Sequence, residues 1–118
     1  MKIYVAHATS FDHKPLYQAL KTSPFWQHHT FILPHENSQD GMFSKSIIAT
    51  CDLLIAEVST PSLGTGIEIG WADAAGVPVA CMYRKGTTPS GALKHLRCQL
   101  KEYENESHLQ KLLEAIIL

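Results

Sequence analysis

No apolar run in these 118 residues approaches the roughly 18 needed for a helix to cross a bilayer. Cysteine is scarce. Cys51, Cys81 and Cys98 are odd in number, far apart, and set in or beside apolar runs, which argues against a disulfide framework and for a reducing compartment. Neither charge dominates, with 10 basic against 11 acidic residues, so no nucleic-acid footprint and no anionic-membrane surface is expected. The seven histidines include no H-x-x-x-H or Cys/His ligand spacing, and no metal is expected. Repeats, low-complexity segments and internal linkers are missing too, and Met1 to Ala6 is a strand-like run without signal-peptide character. The expectation is one cytoplasmic domain over 1–118, able to bury roughly two-thirds of its unfolded surface without disulfide or metal.

What is present is alternation. Lys2 to Ala8 reads as a buried strand, and Asp12 can cap a helix with Pro15 in its first turn and Leu16, Ala19 and Leu20 on one face. His29 to Leu33 reads as a second strand stopped by Pro34. After a polar loop from His35 to Gly41, Met42 to Thr50 reads as a short helix with Phe43 and Ile47 inward. Leu53 to Val58 is a continuous apolar strand of the kind parallel sheets bury on both faces. A helix should follow with the stripe Ile67, Gly70, Trp71, Ala74 and Ala75, which places Trp71 in the core, and end at Gly76. Val77 to Tyr83 predicts a fourth strand, Pro89 to Leu96 a helix, and Cys98 to Tyr103 a fifth strand. Ser107 to Gln110 predicts a capping box opening a helix that buries Leu109, Leu112, Leu113, Ile116 and Ile117. Five strands alternating with helices imply right-handed crossovers and a three-layer α/β fold with an open parallel five-stranded sheet, flavodoxin-like or Rossmann-like. Ligands of such sheets sit beyond the carboxyl ends of the strands, at the topological switch point.

The chemistry concentrates between Ala56 and Gly70. Gly64 and Gly66 let backbone approach a ligand, the helix start at about Gly64 to Glu68 should attract an anion, and Ser59, Thr60 and Ser62 surround it with hydroxyls. The third glycine falls at position 70, so the stretch is not the dinucleotide fingerprint G-x-G-x-x-G. Glu68, placed in the first helical turn, should be ionised by the macrodipole and so act as base or nucleophile. His7 should end the first strand at the same crevice. Arg84 and Lys85 read as solvated loop charges, and the remaining histidines as solvated or hydrogen-bonded.

From Cys51-Asp52 to about Arg84, through Ala56-Glu57-Val58, the Pro61-Ser62-Leu63-Gly64-x-Gly66-x-Glu68-x-Gly70 turn and Cys81-Met82-Tyr83-Arg84, the sequence resembles the nucleoside 2-deoxyribosyltransferase family. It is most similar to the branch of 2′-deoxynucleoside 5′-monophosphate N-glycosidases. A weaker match covers Ile3 to Ala6 and Ser90 to Leu93. The resemblance implies that Glu68 is the glycosidic nucleophile and that Tyr4 hydrogen-bonds its carboxylate. It also implies that Ser62 lies beside a 5′-phosphate, and that Ser90 reaches the same phosphate of a neighbouring subunit in a homodimer. No cofactor is implied. Two positions depart from the pattern. Ser44 stands where the family has an aspartate that serves the leaving base, and His7-Ala8 stands where it has Gly-Ser. Asp40, Glu36 and His35 are the nearest groups able to substitute for that aspartate.

The function implied is an N-glycosidase or N-deoxyribosyltransferase acting on a nucleoside or its 5′-monophosphate. The alternative is a nucleotide-binding module that has lost the acid. A receiver-like signalling domain is disfavoured, since His7-Ala8 supplies no carboxylate at the first strand's end.

Overall fold

The structure, a computed structural model, describes residues 1–36 and 44–118. Its elements in chain order begin with β1 (Lys2–His7), α1 (Lys14–Lys21), a 3-10 turn (Trp26–His28), β2 (Thr30–Ile32) and α2 (Ser44–Ala49). They continue with β3 (Leu53–Glu57), α3 (Leu63–Ala74), β4 (Val79–Arg84), a 3-10 turn (Gly91–His95), β5 (Cys98–Tyr103) and α4 (Glu106–Ile117). The strands form one five-stranded sheet in the order β2-β1-β3-β4-β5, every neighbouring pair parallel. The expected three-layer α/β architecture is therefore the observed one, and the switch point falls between β1 and β3.

Strand alternation sorts the core into two layers. Ile3, Val5, Leu53, Ile55, Met82 and Tyr103 pack against Leu16 and Leu20 of α1 and Leu109, Leu113 and Ile117 of α4. Tyr4, Ala6, Leu54, Ala56 and Cys81 face Ile48 of α2 and Ile69 and Ala72 of α3. Every residue of β3 is buried, as expected of a central parallel strand covered on both faces. All three cysteines are free thiols.

Several boundaries differ from expectation for local reasons. Asp12 does assist α1, accepting from the Lys14 amide at 3.3 Å, but His13 holds the cap position. β4 starts at Val79 because the Val77 amide is spent on the Ala72 carbonyl closing α3. Gly76, at φ 76°, ends that helix as predicted. The segment after Pro89 forms only a 3-10 turn. α4 is capped by Asn105, whose side chain accepts from the His108 amide, and not by Ser107, which lies inside the helix. In α2 the buried residue is Ile48, with Ile47 half-buried; Met42 and Phe43 lie outside the described residues.

The largest correction concerns α3. The helix begins at Leu63, so Gly64 and Gly66 are helical, and the buried face is Thr65, Ile69 and Ala72. The anticipated stripe turns outward instead: Ile67 is 44% exposed, Ala74 and Ala75 are exposed, and Trp71 is only half-buried. A helix apolar on most sides carries two stripes of helical period, and periodicity alone does not choose between them.

Candidate active site

Tyr4 in the middle of β1 points toward α3, where its hydroxyl hydrogen-bonds the Glu68 carboxylate. The Ser44 hydroxyl, at the start of α2, lies 3.2 Å from the same phenol oxygen. A phenol has one proton and Tyr4 gives it to the carboxylate, so Ser44 is the donor in the second bond. Burial raises the Tyr4 pKa further, and the neighbouring Glu68 adds to it. Tyr4 is thus a neutral, immobile donor with 1% of its surface exposed.

The pair forms the floor of an open cavity of about 360 Å³, walled by Pro34, His35, Gly64, Ile67 and Trp71. A larger hollow of about 430 Å³ lies between Asp73, Pro78 and Arg97, near the amino end of β4. That is the wrong end of the sheet for a ligand. Glu68 itself sits in the second turn of α3, five residues beyond its first residue, so the macrodipole does not govern its charge. Burial pushes the carboxyl above its ordinary range, and the Tyr4 hydrogen bond opposes that rise. The outcome is a half-buried carboxylate of raised basicity, held by one strong donor.

Of the expected site residues, Glu68, Tyr4 and Gly64 meet in this cavity, joined by Ser44 and His35. Ser62, Gly66 and Ser90 line a separate small depression of about 50 Å³ on the other side of the α3 start. Ser62 caps α3, accepting from the Thr65 amide at 3.3 Å. Ser90 of the same chain already borders this depression, where the resemblance implied the partner's serine. A Cβ on Gly66 would meet nothing within 4 Å, so the protein's own packing does not require glycine there.

His7 does not reach either cavity. Its ring is buried between His13 and His35, with centroids at 4.9 and 4.2 Å. Nδ1 lies 2.9 Å from the Ala8 carbonyl and so carries the proton, while Nε2 accepts from the Tyr17 hydroxyl at 2.8 Å. Desolvation, reinforced by His35 and His13 and opposed by the Ala8 bond, lowers its pKa to about 4. A base with a depressed folded pKa stabilises fully above its unfolded value near 6.5 and loses that contribution as pH falls toward 4. About 2 kcal/mol of stability should be lost between pH 8 and pH 5 through this group. Thermal melts of His7→Gln should show a shallower acid decline than wild type over that range; parallel declines would remove His7 as the cause.

Of the groups able to replace the family aspartate, His35 lines the cavity. Glu36 instead pairs with Lys21 at 2.5 Å on the surface, and Asp40 lies outside the described residues. Lys85 is paired with Glu104 at 3.2 Å and Arg84 lies over the Tyr103 ring at 5.7 Å, so neither faces the cavity. Sequence reasoning missed one buried network. Glu57, 1% exposed, accepts from the Ser59 amide at 2.6 Å, the Ser59 hydroxyl at 2.9 Å, and the Tyr103 hydroxyl. This staples the start of the loop that leads into α3. A carboxylate ending an apolar strand was the available signal.

This fold and site define the chain first as a flavodoxin-like α/β protein with a Tyr–Glu pair beside the switch point. Its fold matches the CMP N-glycosidase of Clostridium botulinum with a TM-score of 0.71 at 20% identity, covering 97% of this chain and 99% of that one. It also matches a 2-deoxyribosyltransferase of Bacillus psychrosaccharolyticus with a TM-score of 0.63 at 18% identity, covering 93% and 90%. In sequence, 75 residues are 39% identical to the 5-hydroxymethyl-dUMP N-hydrolase of Rattus norvegicus, 56% of this chain and 46% of that protein. No family model matches the chain. Over these partial matches the chain is similar to deoxynucleoside 5′-phosphate N-hydrolases, in keeping with its resemblance to the nucleoside 2-deoxyribosyltransferase family. The matches span between 33% and 46% of the curated relatives' own length.

Proposed function

We propose that the protein breaks the N-glycosidic bond of a nucleoside or nucleoside 5′-monophosphate, with Glu68 as nucleophile. The observation that carries this reading is the Tyr4–Glu68 hydrogen bond at the floor of an open cavity. A Glu68 oxygen forms a bond to C1′ as the C1′–N bond breaks, and the electron pair leaves with the base. Water or a second base then resolves the glycosyl-enzyme, giving hydrolysis or transfer. Tyr4 orients the carboxylate throughout. Trp71 and Ile67 offer an apolar wall for the base, and His35 a polar edge. Ser62, the first-turn amides of α3 and Ser90 hold the sugar's 5′ end. Incubation with the common nucleosides and their 5′-monophosphates, reading free base by chromatography, tests the reading.

A second reading, a nucleotide-binding module without turnover, has one observation in its favour. Among the described residues, Glu68 is the cavity's only carboxylate, so a leaving base finds no carboxylic acid there. Binding without release of any base would select it.

We further propose a homodimer. Leu63, 83% exposed, and Ile67, 44% exposed, continue with Ala74 as an outward apolar stripe on α3. A second copy covering this stripe would also shelter the cavity mouth. Sedimentation should show a dimer at micromolar concentration and a monomer for Leu63→Lys. A monomeric wild type would contradict the assembly.

A further inference from the structure

The side chains over the Glu68 floor are poorly equipped to give a departing base a proton. Among the described residues the polar groups lining the cavity are Tyr4, His35, Ser44 and Glu68. Tyr4 gives its one proton to Glu68 and receives that of Ser44, so neither hydroxyl is a free acid. Desolvation and the neighbouring His13 hold the His35 pKa below its ordinary value, which leaves that imidazole neutral at neutral pH. Glu68 itself must be ionised to attack. The rest of the lining is Pro34, Gly64, Ile67 and Trp71, with neither Lys nor Arg among it.

Charge then decides which bases can leave. When Glu68 attacks C1′ of an ordinary nucleoside, the C1′–N electron pair departs on a neutral base and makes it an anion. Apolar surroundings without a cation or an acidic proton stabilise that anion poorly. A base that already carries a positive charge takes the same electron pair and leaves neutral. Carboxylate and cation discharge each other, and no proton moves. Burial pushes the Glu68 carboxyl above its ordinary range, and it favours a step that consumes charge over one that moves charge onto the base. Trp71, half-buried on the same wall, suits such a ligand, because an indole is the side chain that best holds a cationic ring against its face.

We propose that this site is specialised for N-glycosides of cationic bases, in which the ring joined to C1′ is quaternised, as in a pyridinium or a 7-alkylated purine. The proposal deepens the glycosidase reading and rests on it. A Glu68 oxygen bonds C1′ as the C1′–N bond breaks, and the released electron pair neutralises the ring. Water then cleaves the glycosyl ester, returning the Glu68 carboxylate and releasing one proton.

The test uses matched pairs that differ in the charge of the base. One pair is nicotinamide mononucleotide and its 1,4-dihydro form. The other is 7-methylguanosine 5′-monophosphate and guanosine 5′-monophosphate, assayed also as the 2′-deoxynucleotides. Base release by wild type, Ser44→Asp and Trp71→Leu is read by chromatography and corrected for release by Glu68→Gln. Wild type should cleave the neutral partner at least about 10²-fold more slowly, the lower end of what a general acid supplies. A charged base leaves more readily from any catalyst, so Ser44→Asp is the deciding arm. It should speed the neutral partner by about 10²–10⁴-fold and leave the cationic one unchanged. Trp71→Leu should raise KM about tenfold for the cationic partner alone, the scale of a desolvated cation–π contact, and Trp71→Phe should recover part of that. A purely structural Trp71 would move both partners alike. The pair that responds tells a pyridinium substrate from a purine one. Neutral partners cleaved as fast as cationic ones, or an equal gain for both in Ser44→Asp, would overturn the inference and leave the glycosidase reading standing. No base released from any of these nucleotides would overturn both.

Discussion

Glu68→Gln is expected to stop turnover while leaving nucleotide binding nearly intact. Glutamine keeps the shape and can still accept the Tyr4 hydrogen bond, but it has no charge with which to attack C1′. Removing a covalent nucleophile should lower the rate on the order of 10⁴-fold or more. Affinity for a 5′-monophosphate should change little, because the contacts proposed for the phosphate are on the opposite side of the α3 start, around Ser62. A stability measurement separates this from a structural role. The carboxyl is pushed above its ordinary range by burial, so the folded protein disfavours its ionised form at neutral pH. Glu68→Gln should therefore melt at the same temperature as wild type or higher at pH 7. A carboxylate kept for stability would give a lower one.

Ser44→Asp is expected to raise the cleavage rate by about 10²–10⁴-fold, the usual range for general acid catalysis. The Ser44 hydroxyl lies 3.2 Å from the Tyr4 oxygen, which in turn bonds Glu68. A carboxyl there would stand close to a second carboxylate, and like charges at that range raise one of the two pKa values. The start of a helix pulls the other way, and the balance decides how much acid remains at neutral pH. The gain should grow as pH is lowered through the new group's titration. His35 lines the same cavity and is the candidate for the acid already present. A small gain in Ser44→Asp, together with a large loss in His35→Ala, would assign the acid to His35. If neither variant changes the rate, protonation of the base is not limiting.

The chain shows its fold in sequence wherever one force dominates. β3 forms from Leu53 as expected and Gly76 ends α3 at positive φ, because strand apolarity and the glycine requirement have no local rival. The Tyr4–Glu68 pair was likewise legible, since it follows from matching residues to a family motif. Where two local solutions compete, sequence does not decide. Asn105 and Ser107 can each cap α4, and the tertiary start of the helix selects Asn105. α3 has two apolar stripes, and the sheet takes the one with Thr65 and Ala72. That choice leaves Trp71 at the edge of the core, packed against the buried cluster and lining the cavity, while the helix start at Leu63 puts Glu68 beyond the first turn. It also buries the Thr65 hydroxyl, which no periodicity argument could have singled out. His7 shows the same limit at a strand end: its position beside the switch point was legible, but its partners come from two other segments, His13 and Tyr17 from α1 and its cap and His35 from the stretch after β2.

The role of Glu68 as nucleophile is tested most directly by trapping the intermediate. Wild-type protein is mixed with a deoxynucleoside 5′-monophosphate that it cleaves, quenched within one turnover, and digested for peptide mass spectrometry. The peptide carrying Glu68 should gain the mass of a deoxyribosyl 5-phosphate, one equivalent of base should appear with it, and Glu68→Gln should show neither. Base release from Glu68→Gln at the wild-type rate, or a sugar adduct on another residue, would contradict the account.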